Sequence, residues 1–293
     1  MTSLLPLLLS LIGCGSEHMF PETRPADACD AGAWDDEHYV LRVEHGGRQR
    51  TALVYMPPGP GPHDVVINLH EYRAEPLRQA HYSTWFPFAR DNNLLLVTPD
   101  GKSATWNAGD GCCGRAAEKN IDDVGFLDKV VAALGERACT TDRVLATGIG
   151  NGAMMAHRWS CESDVPDAVV SVGGTLQTET CTSKRAIPML HYHGTADALF
   201  PADGRKGHRP IGHTRDIWAT RNGVDAWSPA VDGALECQVG TGTMPTQICM
   251  VNGMEDLWPG AAHATVDSKS PLRRATDGGW AWVVDAWNTP PRP

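Results

Sequence analysis

Apolar and polar positions along the chain follow two rhythms. Residues 39–43 and 50–56 alternate around Gly46-Gly47, the period-two signature of a hairpin, and the Pro-rich stretch 57–62 ends it. Four short, nearly continuous apolar runs follow at 65–69, 94–98, 143–147 and 168–172, with a fifth of the same form at 188–193. Helical periodicity lies between them, clearest at 124–134 and 153–159, and Asp122-Asp123 supply acid at the N-terminus of the first. Residues 279–287, apolar on two faces, predict a closing helix. Strands apolar throughout must be buried on both faces. The pattern therefore predicts an α/β fold, a mostly parallel central sheet with helices on both faces.

The N-terminus bears on compartment. The apolar run at 4–12 is too short to cross a bilayer as a helix and fits the core of a signal peptide. Leu11-Ile12-Gly13-Cys14 resembles a bacterial lipobox, which implies lipidation of Cys14, although residues 1–3 carry no Lys or Arg. The expected organisation is a signal peptide over 1–14, a Pro- and acid-rich tether over 15–30 and a single domain over 31–293. Such a protein is exported: a cell-envelope lipoprotein, periplasmic or on the outer surface, or a secreted one. The net charge of -10 argues against nucleic acid as a partner and leaves the lipid anchor as the expected membrane contact.

Cysteine usage agrees with export. Besides Cys14 there are Cys29, Cys112, Cys113, Cys139, Cys161, Cys181, Cys237 and Cys249, an even set without a CxxC zinc pattern, so the domain is expected to be disulfide-stapled. Cys237 and Cys249 flank a Gly-rich turn, and Cys161 and Cys181 bracket one helix-to-strand unit; these are the two expected pairs. Adjacent Cys112 and Cys113 are expected to reach Cys29 and Cys139, in an order left open, rather than each other.

In an open α/β sheet the chemistry gathers at the carboxyl ends of the strands. The run 143–147 leads into Gly148-Ile149-Gly150-Asn151-Gly152 and then a helix, the strand–turn–helix setting of a G-x-S-x-G nucleophile elbow. With it go Trp106-Asn107-Ala108-Gly109-Asp110-Gly111-Cys112-Cys113-Gly114, the stretches 120–127 and 146–157, His193-Gly194-Thr195-Ala196-Asp197 and Trp258-Pro259-Gly260. In this order the motifs resemble the secreted polyhydroxybutyrate depolymerase and feruloyl esterase group of α/β-hydrolases, over roughly residues 40–290. The resemblance implies an α/β-hydrolase fold, and puts the family's serine, aspartate and histidine on Gly150, Asp197 and Asp256. Its oxyanion loop, His-Gly followed by glycines, falls on His70-Glu71-Tyr72-Arg73.

Each departure has a chemical meaning. Glycine supplies no nucleophile, a carboxylate at Asp256 cannot relay a proton as imidazole does, and Glu71 brings negative charge to the oxyanion position. Asp197 and Asp256 are expected within hydrogen-bond reach of each other with Glu71 near, sharing a proton, or else Asp256 turns out to solvent; a divalent cation among them is the less favoured reading, so no metal and no cofactor are expected. His263 reads as a surface-loop residue, Ser160 as too far along its helix to act, and His157, His191 and His193 as structural. Tyr72, Trp106 and Trp258 are the candidate ligand contacts, whereas Trp280, Trp282 and Trp287 read as packing residues. The functional expectation is a catalytically degenerate esterase relative that binds a small aryl or polyester- or polysaccharide-linked ligand, or a partner. The alternatives are an active carboxylic-ester hydrolase with a rearranged catalytic set and a purely structural envelope protein.

Overall fold

The computed structural model describes residues 18–34, 38–261 and 274–289. The signal-peptide reading with Cys14, and His263, lie outside the described residues. The strands are β1 (Tyr39–His45), β2 (Arg48–Tyr55), β3 (His63–Leu69), β4 (Leu95–Pro99), β5 (Thr140–Ile149), β6 (Ala168–Val172), β7 (Met189–Gly194), β8 (Ala226–Asp232), β9 (Leu235–Thr241) and β10 (Thr246–Val251). The helices are α1 (Pro76–Tyr82), α2 (Trp85–Asp91), α3 (Gly114–Glu118), α4 (Asp123–Arg137), α5 (Asn151–Glu162), α6 (Ile211–Asn222) and α7 (Asp277–Asn288).

All ten strands join one sheet in the order β1-β2-β4-β3-β5-β6-β7-β10-β9-β8. From β4 to β10 every neighbour pair is parallel, and the antiparallel pairs lie at the two edges. Alternation within the apolar runs sends side chains to two cores. Val65, Ile67 and Leu69 of β3 meet Phe126, Leu127, Met155 and Trp159 of α4 and α5, while Val66 joins Trp85 and Val283 on the other face. This is the architecture of an α/β-hydrolase, with helices on both faces of a mostly parallel sheet. No helix among the described residues is long and apolar enough to cross a membrane.

Two expectations are corrected. The stretch read as a tether packs on the domain from His18 onward. Phe20 is 2% exposed, stacks on Trp34 at 5.4 Å and meets Tyr39 edge-on, and Met19 bridges to Val40. Phe20, packed between Trp34 and Tyr39, outweighs the segment's Pro and acid content. Cys112 and Cys113 are bonded to each other, not to distant partners, because Cys29 and Cys139 bond to one another with Cα atoms 5.1 Å apart. Cys161 is bonded to Cys181 and Cys237 to Cys249.

Candidate functional site

The β5–α5 turn places Gly150 at the carboxyl edge of the sheet, where this fold presents its nucleophile. Its φ of 52° and ψ of -118° lie outside the regions that side-chain-bearing residues adopt freely, and its N–H donates to the Val172 carbonyl at 2.9 Å. The flanking glycines answer a separate demand. A Cβ on Gly148 would meet the Leu69 carbonyl oxygen at 2.6 Å, and one on Gly152 would run into the same β3 backbone.

Glu71 fills the space above this turn. A Cβ built on Gly150 would overlap its carboxylate. Glu71 Oε1 accepts the Asn151 N–H at 3.1 Å and the N–H of Tyr72, whereas Oε2 is buried without a partner. The Asn151 amide at the start of α5 is thus taken by a side chain of the protein itself. His70 holds the loop in place. The Gly101 N–H donates to Nε2 at 2.9 Å, so the ring's proton sits on Nδ1 and goes to the Glu71 carbonyl at 2.8 Å. Burial drives the His70 pKa down to about 4, which keeps that ring neutral.

Asp197, in the loop after β7, uses Oδ1 to accept the N–H groups of Leu199 at 2.9 Å and Phe200 at 2.7 Å. It acts as a turn cap, and its unpartnered Oδ2 lies 3.9 Å from His193 Nε2. Asp256 stands beside it: its Oδ1 and Asp197 Oδ2 lie 3.3 and 3.5 Å from a Cβ built on Gly173 at the end of β6. The three carboxyl groups are thus gathered at one place. Asp197 Oδ2, Asp256 Oδ1 and Glu71 Oε2 are all buried without a partner. Burial first, and then the charge of Asp256 and Asp197, pushes Glu71 up to about 8; burial and then Asp197 push Asp256 up to about 6.

Beneath the site runs a buried chain of imidazoles. Trp218 Nε1–H donates to His157 Nδ1 at 3.0 Å, and His157 Nε2 meets Ser171 Oγ at 2.9 Å. Ser171 Oγ meets His191 Nδ1 at 2.8 Å, His191 Nε2 meets His193 Nδ1 at 3.1 Å, and His193 Nε2 meets the Phe200 carbonyl at 2.6 Å. An indole can only donate and a carbonyl can only accept, so the two ends fix every proton between them. Each of the three histidines carries its proton on Nε2, and burial lowers all three pKa values, His157 to about 3. The chain ends on Phe200, the residue whose N–H Asp197 holds.

Of the aromatic ligand contacts read from sequence, only Tyr72 faces open space. It lines a cavity of about 390 Å³ with Cys112, Cys113, Phe200, Arg205 and His208. Trp106 and Trp258 are fully buried instead: Trp106 Nε1–H donates to the His70 carbonyl at 3.0 Å and Trp258 Nε1–H to Thr276 Oγ1 at 3.0 Å. Both brace the site's loops from behind, because an indole with one internal acceptor is more stable in the core than at a rim. Phe200, Arg205 and His208 carry no motif and were not legible before folding. Among the described residues, the group whose metal-ligating atoms lie within 4.8 Å of one another is Cys112, Cys113 and His208, not the carboxyl cluster.

No family model matches the chain. A stretch of 166 residues is 28% identical to feruloyl esterase D of Neurospora crassa, covering 55% of this chain and 49% of that one, so the match spans about half the length of that relative. The fold is similar to an acetyl xylan esterase from Aspergillus awamori, with a TM-score of 0.54 and 14% identity over 72% of this chain and 90% of that one. It is also similar to an S-formylglutathione hydrolase from Agrobacterium tumefaciens, with a TM-score of 0.55 and 12% identity over 85% and 95% of the two chains.

Proposed function

We propose, for this member of the α/β-hydrolase superfamily, a binding role in place of hydrolysis. The observation that carries the reading is the seat of Glu71. Its carboxylate stands where a nucleophile on Gly150 would have to stand, and it takes the Asn151 N–H that would otherwise face an oxyanion. Acyl transfer through this elbow then has neither an attacking oxygen nor a free amide. The neighbouring cavity remains, with aromatic walls from Tyr72 and Phe200 and polar groups from Arg205 and His208. That lining, together with the sequence similarity to a feruloyl esterase, supports a small aryl ester or aryl acid as ligand. Four disulfides suit an oxidising compartment, which supports an exported protein with Cys14 as its lipid anchor.

The test uses the purified mature protein. Hydrolysis of p-nitrophenyl acetate and butyrate is expected at the buffer rate, while calorimetry detects methyl ferulate binding that Tyr72→Ala weakens. A second reading, an ester hydrolase with a rearranged catalytic set, draws support from the bare, buried oxygens of Glu71 and Asp256 and their raised pKa values, which suit an acid–base pair. Turnover that Glu71→Gln or Asp256→Asn abolishes would favour that reading and overturn the first.

A further inference from the structure

We propose that Cys112, Cys113, Met154 and His208 form a binding site for one cuprous ion when the Cys112–Cys113 disulfide is reduced. The four donors come from three separate parts of the chain: the turn before α3, the first turn of α5 and the loop before α6. Met154 Sδ lies 3.4 Å from Cys112 Sγ and 3.7 Å from Cys113 Sγ, and His208 Nδ1 lies 3.9 Å from Cys112 Sγ. A first-row metal bound at about 2.3 Å to sulfur and about 2.0 Å to nitrogen sets tetrahedral donor–donor separations of roughly 3.5–3.8 Å. Three of the separations already fall near that range, and opening the disulfide lets the two sulfurs move apart to it.

The donor set selects the ion. A thioether and two thiolates with one imidazole are soft ligands that favour cuprous copper over magnesium, calcium or manganese. Met154 is fully buried, Cys112 nearly so, and Cys113 and His208 line the open cavity, so an ion has a way in. The His208 ring is held by its own turn, where Arg205 and His208 exchange backbone hydrogen bonds, and it packs edge-on against Phe200.

Loading balances in two steps. A dithiol reductant breaks the Cys112–Cys113 bond; two electrons and two protons pass to the sulfurs, and the reductant becomes its own disulfide. The cuprous ion then displaces both thiol protons and is held by two thiolates, the thioether and the imidazole. The site shares His208 and its cavity with the ligand reading above but does not rest on that reading.

The experiment is anaerobic titration of the full mature protein with cuprous bicinchoninate after graded dithiothreitol treatment and desalting, with alkylation and mass spectrometry reporting which cysteines have opened. Alkylation identifies the treatment that opens Cys112 and Cys113, and protein so treated is expected to withdraw one equivalent of copper from the probe. Met154→Leu, which keeps side-chain volume, and His208→Phe are each expected to weaken uptake by about tenfold or more. Cys112→Ser with Cys113→Ser is expected to take up none. Equal uptake by that double variant, or no uptake by wild type with both thiols alkylatable, would each overturn the proposal.

Discussion

The Glu71 carboxylate occupies the volume that any side chain on Gly150 would need. The turn, with φ of 52° and ψ of -118° at Gly150, is filled from outside, by a residue of the loop that follows β3. The two positions are therefore coupled, and changing one alone is expected to behave differently from changing both.

Gly150→Ser alone is expected to cost about 1–3 kcal/mol, the usual range for overpacking a filled site, and to gain no turnover of p-nitrophenyl butyrate. Adding Glu71→Gly removes the overlap and is expected to restore most of that stability in a urea double-mutant cycle. Gly150→Ser with Glu71→Gly and Asp256→His is the variant in which esterase turnover is expected. A Gly150→Ser protein as stable as wild type would show that Glu71 does not sit over the turn.

Stability should fall as pH rises across neutrality. Glu71 and Asp256 bind their protons more tightly folded than unfolded, with folded values of about 8 and about 6 against ordinary values of 4.5 and 3.8. Their protonated forms cost least at low pH, and the cost of ionising them in the fold grows through pH 6 and then pH 8 before levelling. Melting temperatures at pH 5.5, 7 and 9 check this: the Glu71→Gln variant is expected to lose the upper part of the decline. An identical slope in wild type and variant would remove Glu71 as its cause.

The imidazole chain makes a spectroscopic prediction. Nitrogen-15 correlation spectra are expected to show His157, His191 and His193 as neutral Nε2–H tautomers from pH 5 to 8. Ser171→Ala removes two short hydrogen bonds and leaves the His157 Nε2–H to reach the His191 Nδ1 lone pair directly across 3.4 Å. Its expected cost is about 1–3 kcal/mol by urea denaturation. A Nδ1–H tautomer at His193 would break the stated direction of the chain.

Removing the Cys29–Cys139 disulfide should loosen the N-terminal segment. It closes a sequence separation of 110 residues, for which chain entropy predicts a loss of roughly 4–5 kcal/mol. Cys29→Ser with Cys139→Ser is expected to lower the melting temperature and to speed hydrogen exchange at Phe20 and Val40, whose backbones bond to each other. Unchanged exchange there would mean that the aromatic packing of Phe20 and Trp34 suffices.

The core of the fold was legible in the chain because its strands are buried on both faces. The runs that became β3, β5 and β6 are apolar almost throughout, and nothing but a covered, mostly parallel sheet accommodates several of them in sequence. The edge formed by β8 to β10 was not legible. β8 is exposed along most of its length and contains Pro229, so it carries neither alternation nor an apolar run, and its pairing with β9 supplies the order that its sequence lacks.

The chain by itself determined the glycine-framed turn at Gly150 and the chemical types brought to the sheet's carboxyl edge: no hydroxyl or imidazole at Gly150 and Asp256, and an acid at Glu71. Their use was decided only in three dimensions. Glu71 came to rest over Gly150 because the Asn151 and Tyr72 amides offered its carboxylate two donors. Trp106 and Trp258 went inward because an internal acceptor met each indole. Cys112 is bonded to Cys113, and Cys29 to Cys139 across a sequence separation of 110 residues. Spacing along a chain states which groups are present, but hydrogen bonds and disulfides depend on distances that exist only after the sheet has brought remote segments into contact.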